Sequence, residues 1–165
     1  MALKNAQRGF TILISVIFMS VMLSFGLALS SIGYKQQVLA SNAIASQYAF
    51  YVADTALECA LYADQQQGLF SYTRYDGNPK SMTCDGNTIA VVQMPPSISL
   101  LTSTVRLSLD SDTRCADIIV YKYNTPQEPD NATTYIFSTG YDVSCSRVAN
   151  PGNTRFVSRG ISAHY

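Results

Sequence analysis

The sequence predicts an α+β fold: a long N-terminal helix, apolar in its first half and amphipathic in its second, packed on an antiparallel β-sheet head. Three observations predict it. From Gly9 to Tyr34 there is no Asp, Glu, Lys, Arg or His. From Tyr34 to Gln67 there is no glycine or proline, and alanines recur at helical spacing. Beyond Asn87 the chain breaks into short β-type runs divided by turn formers.

Charged residues make up 13 % of the 165-residue chain, against about 25 % in ordinary globular domains. The deficit is concentrated in the first of these stretches. Roughly 25 uncharged residues in a helix are enough to cross a hydrocarbon core of about 30 Å. The apolar region of a secretory signal is shorter, about 7–15 residues, so a true membrane span is expected. Lys4 and Arg8 precede the run and Lys35 follows it alone. The positive-inside bias then holds the short N-terminal segment in the cytoplasm and exports the rest. Ser15, Ser20, Ser24, Ser30 and Ser31 do not count against a span, because their hydroxyls can bond back to helix carbonyls. Gly26 and Gly33 interrupt the run, each at about 1 kcal/mol relative to alanine. They read either as ordinary tolerance within a membrane helix or as places where the helix softens or a neighbour comes close.

In the second half, alanines fall at 45, 49, 53, 56, 60 and 63. Steps of four and three put them on one stripe of a helix. Phe50, Leu57 and Leu61 flank the stripe, while Gln47, Asp54 and Glu58 lie elsewhere. One nearly continuous helix is expected from about Phe10 to about Asp64, roughly 80 Å long at ~1.5 Å per residue. A chain of this size cannot bury such a helix whole. The first half is expected in lipid or among partner helices, and the second on the head, where the small stripe permits a close approach. The organisation expected is therefore a leader at 1–9, a span at 10–34 and an exported head at 35–165.

After the helix, "QQQGLFSYTRYDGNPKSMTCDGN" is rich in turn formers and reads as a loop. Five β-type runs follow: "TIAVVQM", "STVRLSL", "ADIIVYKYN", "TTYIFSTGYDVSC" and "TRFVSRGISAHY". They are separated by "PPS", "DSD", "TPQEPDNA" and "ANPGN". Apolar alternation at Val105, Leu107 and Leu109, and at Tyr135 and Phe137, marks strands with two unlike faces. Short connections of this kind predict an antiparallel meander with one face covered by the helix.

Cys59, Cys84, Cys115 and Cys145 all lie beyond the span. Four cysteines in a small exported region suggest two disulfides, with three pairings open; buried free thiols are the alternative. No CxxC occurs and His164 is the sole histidine, so the spacing is not that of a zinc site. Position favours Cys59–Cys84, which would pin the loop to the helix end. It also favours Cys115–Cys145, read as the start of one strand and the end of a neighbour. Each closure is expected to contribute on the order of 3–4 kcal/mol.

Little in the sequence supports catalysis. A Ser/His/Asp or Cys/His site would depend on His164 alone. Asp54 and Glu58, four apart on the helix, read as solvated or partner-facing acids. "DSD" at 110–112 with Asp117 lacks the rest of a calcium loop and reads as a turn. There is no phosphate-binding glycine loop, so no metal, cofactor or enzymatic activity is expected. "NAT" at 131–133 fits a glycosylation sequon without further support. Basic residues of the head are scattered over Arg74, Lys80, Arg106, Arg114, Lys122, Arg147, Arg155 and Arg159. Loss of Lys4 and Arg8 from a chain of net charge zero leaves −2, which argues against nucleic-acid binding. The eleven tyrosines read as strand packing and subunit contacts.

The stretch "RGFTILI", Arg8 to Ile14, with its basic leader ending in Gly9, then Phe10, Thr11 and an apolar helix, resembles the type IV pilin superfamily. That superfamily includes the pseudopilins of type II secretion. "SQYAFYVADTALECALY" is similar to the "AFxAAExAL" segment of certain minor pilins. The resemblance covers about the first 60 residues. It implies cleavage between Gly9 and Phe10 by a prepilin peptidase, methylation of the new N-terminal Phe10, and assembly into a fibre through the helix that includes Thr11, Ile14, Gly26 and Gly33. The partners implied are other pilin subunits, the inner-membrane assembly platform, the peptidase and, before assembly, the membrane. Ile14 departs from the pattern. Most major pilins carry Glu there, thought to pair with the N-terminal amine of a subunit in the fibre, and members without it include the tip-capping subunit. A minor or initiating subunit is therefore expected. A tip module that binds a ligand, or an uncleaved single-pass anchor, is the alternative.

Overall fold

A computed structural model describes residues 3–71, 77–94, 99–125 and 128–165; for 3–9, 31, 124–125 and 128–132 it describes the backbone. One helix, α1 (Leu3–Gln65), precedes six strands: β1 (Lys80–Cys84), β2 (Asn87–Gln93), β3 (Leu100–Leu109), β4 (Arg114–Thr125), β5 (Glu128–Tyr141) and β6 (Ser158–His164). A short helix, α2 (Cys145–Ala149), lies between β5 and β6. The layout is α+β, as expected. The chain divides into two compact units, Met1–Asn42 and Ala43–Tyr165.

Helix α1 begins earlier than the expected Phe10, because Leu3 to Arg8 contains neither a β-branched residue nor proline to stop it. It ends where the amides of Gly68 and Leu69 fold back on the carbonyls of Asp64 and Ala63, at 3.0 Å each. This pairing satisfies the last helix carbonyls and turns the chain.

The six strands form one antiparallel sheet in the order β1-β2-β3-β4-β5-β6, a simple meander. Three sequence expectations are corrected. Lys80–Cys84, read as loop, is strand β1. Asp85 and Gly86 have φ of 50° and 73°, the double left-handed geometry of a two-residue hairpin turn, and they set Cys84 opposite Asn87. The long loop expected over "TPQEPDNA" is mostly strand: β4 extends to Thr125 and β5 starts at Glu128, with a register shift between Tyr123 and Thr125. Of that loop, 126–127 lies outside the described residues, as do 72–76 with Arg74, and 95–98 with "PPS". Third, Cys145 does not end a strand. The sheet is left at Tyr141, and Asp142 instead clasps Val157: its carboxylate accepts the Val157 amide at 2.7 Å and its own amide donates to the Val157 carbonyl at 3.2 Å. Cys145 then opens α2. The last strand accordingly starts at Ser158, not Thr154.

The core of the second unit lies between residues 43–65 of α1 and one face of the sheet. Leu101, Val105, Leu107 and Leu109 of β3, Ile118 and Val120 of β4, and Ile136 of β5 point inward. All of these but Leu101 form one cluster with Val52, Ala56, Leu57, Ala60 and Ala63 of the helix, with Phe70, Met82 and Val91 closing the margin. Each large side chain among them contributes about 1.5–3 kcal/mol by leaving water. Cys59–Cys84 and Cys115–Cys145 are the two disulfides, with Cα separations of 5.9 and 4.7 Å. The first ties the β1–β2 hairpin to the helix and the second ties α2 to β4.

Ala49, Ala53, Ala56 and Ala60 are wholly buried. The alanine stripe therefore does what its spacing predicts, and its tightest contact is with Gly140 on β5. A Cβ at residue 140 would stand 2.2 Å from the Ala49 carbonyl oxygen and 2.4 Å from the Ala53 amide nitrogen. Beside it, the Ser138 hydroxyl donates to the Ala53 carbonyl at 2.8 Å. Both blocking atoms are backbone, so a side chain here has to move a helix. Gly140→Ala is expected to lower stability by about 3 kcal/mol, read as a fall in the guanidinium midpoint of the full chain in detergent. Ser138→Ala is expected to cost about 1 kcal/mol.

Candidate functional site

The residues singled out by the sequence lie along the start of α1. Gly9, Phe10 and Thr11 are consecutive helical residues. Phe10 is 67 % exposed and Ile14 50 %. Their neighbours Ile12, Leu13, Val16, Ile17 and Phe18 are all more than half exposed. The polar residues in this stretch are turned back on the helix: Ser15 donates to the Ile12 carbonyl, Ser20 to Ile17 and Ser24 to Ser20, each at 2.8 Å. The helix passes through Gly26 and Gly33 without a break, and a Cβ at either would meet nothing within 4 Å. The result is a helix long and apolar enough to cross a membrane, with its apolar side chains uncovered. Its surface offers apolar packing area.

The acids of the head are mostly committed to neighbours. Asp117 takes a two-pronged ion pair from Arg106, at 2.7 and 2.8 Å. Asp110 pairs with Arg114 at 2.6 Å, and the Arg114 guanidinium also lies 4.0 Å over the Tyr48 ring. Asp112 accepts from Ser108. "DSD" is thus the β3–β4 turn, as read from the sequence. Among the described residues no cluster of three His, Cys, Asp or Glu side chains could hold a metal. Asp54 and Glu58 stand exposed on α1.

One site had no sequence signal. Asp64, read only as the end of the helix, is 6 % exposed. Its carboxylate receives the Lys122 ammonium at 2.7 Å and a hydrogen bond from the Tyr165 hydroxyl. Tyr165 is itself fixed to Thr134 by a pair of backbone hydrogen bonds, 2.9 and 3.1 Å. The triad locks the helix end to β4 and to the segment after β6. Burial pushes the Tyr165 phenol well above the ordinary tyrosine range, and the bond to Asp64 and its charge push further. Tyr141 is raised likewise, by burial first and then by the charge of Asp117 and the hydrogen bond to it. The same Asp117 raises the Arg106 guanidinium, mainly through their hydrogen bond.

The tyrosines divide by strand parity. Tyr121, Tyr123, Tyr135 and Phe137 project from the face of the sheet that the helix does not cover, and they line an open cavity of about 530 Å³ with Thr133. His164 stacks on Tyr135, ring centres 5.8 Å apart and 17° from parallel. Alternation in the sequence places these rings on one face; it does not say that they form a single surface. Comparison of the chain with known protein families, curated proteins and solved structures finds no match.

Removing one partner of a buried ion pair leaves a sealed charge. Asp64→Leu alone is expected to cost about 3–5 kcal/mol, whereas Asp64→Leu combined with Lys122→Met is expected to cost far less than the sum of the two single changes; denaturant titration of the parent chain, the two single variants and the double variant measures the coupling. Because the folded state holds Tyr165 and Tyr141 protonated, unfolding above pH ~10 releases their protons, and stability falls as pH rises from the ordinary tyrosine pKa upward. Tyr165→Phe is expected to flatten that alkaline slope.

Proposed function

We propose that this chain is a structural subunit of a type IV pilus or a related pseudopilus, a minor or initiating pilin. It joins the fibre through α1 after cleavage between Gly9 and Phe10. The observation that carries the reading is the sequence Gly9-Phe10-Thr11 at the head of the uncharged run of α1, whose apolar side chains are left uncovered.

A helix with Phe10, Leu23, Leu27 and Leu29 each more than 60 % exposed is unfavourable in water. Lipid covers it before assembly, and neighbouring subunit helices cover it afterwards. Exchange between the two is feasible because both environments are apolar, so close packing rather than the hydrophobic effect selects the fibre. Gly26 and Gly33, open on all sides within this chain, are where a partner helix can approach. Ile14 in place of the usual Glu means that this subunit offers no carboxylate at that position to a neighbour's amine, which suits an end of the fibre better than its repeat. The partners follow: other pilin subunits, the prepilin peptidase and the inner-membrane assembly platform. The protein is a single-pass membrane protein with an exported head, and then part of a surface fibre. The ring-lined cavity on the free sheet face supports a second role at the fibre tip.

Intact-mass spectrometry of the protein from its native host tests the processing step. The expected mass is that of a chain starting at Phe10 with one added methyl. A chain retaining Met1 or Ala2 would sink the fibre mechanism and leave a permanent anchor.

A further inference from the structure

The sheet face away from α1 carries a grid of side chains set by register. Tyr121 lies opposite Tyr135, which lies opposite His164; Ile119 lies opposite Phe137, which lies opposite Ser162; Tyr123 lies opposite Thr133. The rings contact along the diagonals. Tyr121 and Phe137 meet edge to face at 6.0 Å, and Tyr123 and Tyr135 at 5.8 Å. Crossed rings leave a trough between them, the open cavity of about 530 Å³. That lies in the range of about 300–1,000 Å³ usual for ligand sites. Tyr123, Tyr135 and Phe137 are 45, 37 and 44 % exposed, costly positions for rings that support no core.

From this geometry we infer that the face formed by Tyr121, Tyr123, Thr133, Tyr135 and Phe137 is a binding site for a neutral oligosaccharide. Charge selects the class. None of the five side chains is charged. Lys122, between Tyr121 and Tyr123, points to the opposite face, where Asp64 holds it. Arg106, on the same face as the grid, is tied by Asp117. A single-stranded nucleic acid or an anionic lipid surface requires a positive track beside the rings, and none is present among the described residues. The ring-lined recess itself, five side chains, is much smaller than the ~800 Å² that a stable protein interface takes from each side and matches a small ligand instead. A pyranose fits both properties of the lining. Its C–H face lies against a ring, and its hydroxyl rim reaches the phenol groups and the Thr133 hydroxyl, the amphipathic use for which tyrosine is suited. The site extends beyond fibre membership and does not depend on it, since a chain uncut at Gly9 carries the same face.

The test is retention of the full chain, in detergent micelles, by a panel of immobilised neutral polysaccharides (cellulose, amylose, mannan and galactan), with alginate as the acidic control. The expected result is retention by at least one neutral polymer, reduced about tenfold by Tyr121→Ala or Tyr135→Ala and largely kept by Tyr135→Phe, which preserves the ring. Each variant is checked for an unchanged melting temperature; if either melts early, Tyr123→Ala, more exposed, takes its place. Retention by none of the neutral polymers, retention by alginate alone, or retention indifferent to these substitutions overturns the site. Sedimentation velocity adds a last arm: if Tyr135→Ala dissociates an oligomer of the chain, the face is a contact between copies and the inference falls.

Discussion

Helix α1 lies against β5 at backbone distance, and the rest of the head is arranged around that contact. Ala49 and Ala53 on one side and Gly140 on the other leave no room for even a methyl group. Small residues on both surfaces let the inward row of β3 to β5 close over the helix as a single core, with Leu107, Ile118 and Ile136 fully buried. A larger residue at any of the three positions would lift the helix from the sheet and open that row to water. The Ser138 bond to the Ala53 carbonyl, between residues 85 positions apart, holds the helix in register at its closest point.

Around this contact the chain is tied at its margins by bonds that do not depend on apolar area. Asp64, Lys122 and Tyr165 join the end of the helix to the centre and the far edge of the sheet. Cys59–Cys84 holds the β1–β2 hairpin, which is joined to β3 at Val92 and Gln93 and by the Met94 amide, which donates to the Thr102 carbonyl at 2.9 Å. Cys115–Cys145 holds the long excursion between β5 and β6. A small head gains most from cross-links where its core is thinnest.

With one face of the sheet given to the helix, strand parity assigns every second residue to the other face. The same alternation that buries Ile118, Val120 and Ile136 turns Ile119, Tyr121, Phe137 and Tyr135 to the other face, where Phe137 and Tyr135 are exposed and Ile119 and Tyr121 half-buried. A solvent-facing strand position has no need of an aromatic ring, so a cluster of them is a cost to solubility that a ligand or partner has to justify. The apolar half of α1 poses the same question on a larger scale, and there the Gly9-Phe10-Thr11 sequence supports fibre assembly.

Local periodicity was enough to read much of this protein. The uncharged run, the alanine stripe at 45 to 63 and the strands of alternating polarity each repeat within a few residues, so the α+β class and the helix that contacts the sheet were legible before any coordinates. What required the tertiary structure was every feature whose partners are far apart in the chain. Gly140 looks like any strand glycine until Ala49 and Ala53 are seen beside it. Asp64 reads as a helix end until Lys122 and Tyr165 reach it, 101 positions on in the case of Tyr165. Strand β1 was hidden in a polar run because only its pairing with β2 makes "KSMTC" a strand. Cys145 reads as a strand end because the Asp142–Val157 clasp that releases the chain from the sheet joins residues 15 apart. Periodicity tells which residues share a face; which face is covered, and what then stands together on the other, is decided only when the sheet and helix meet.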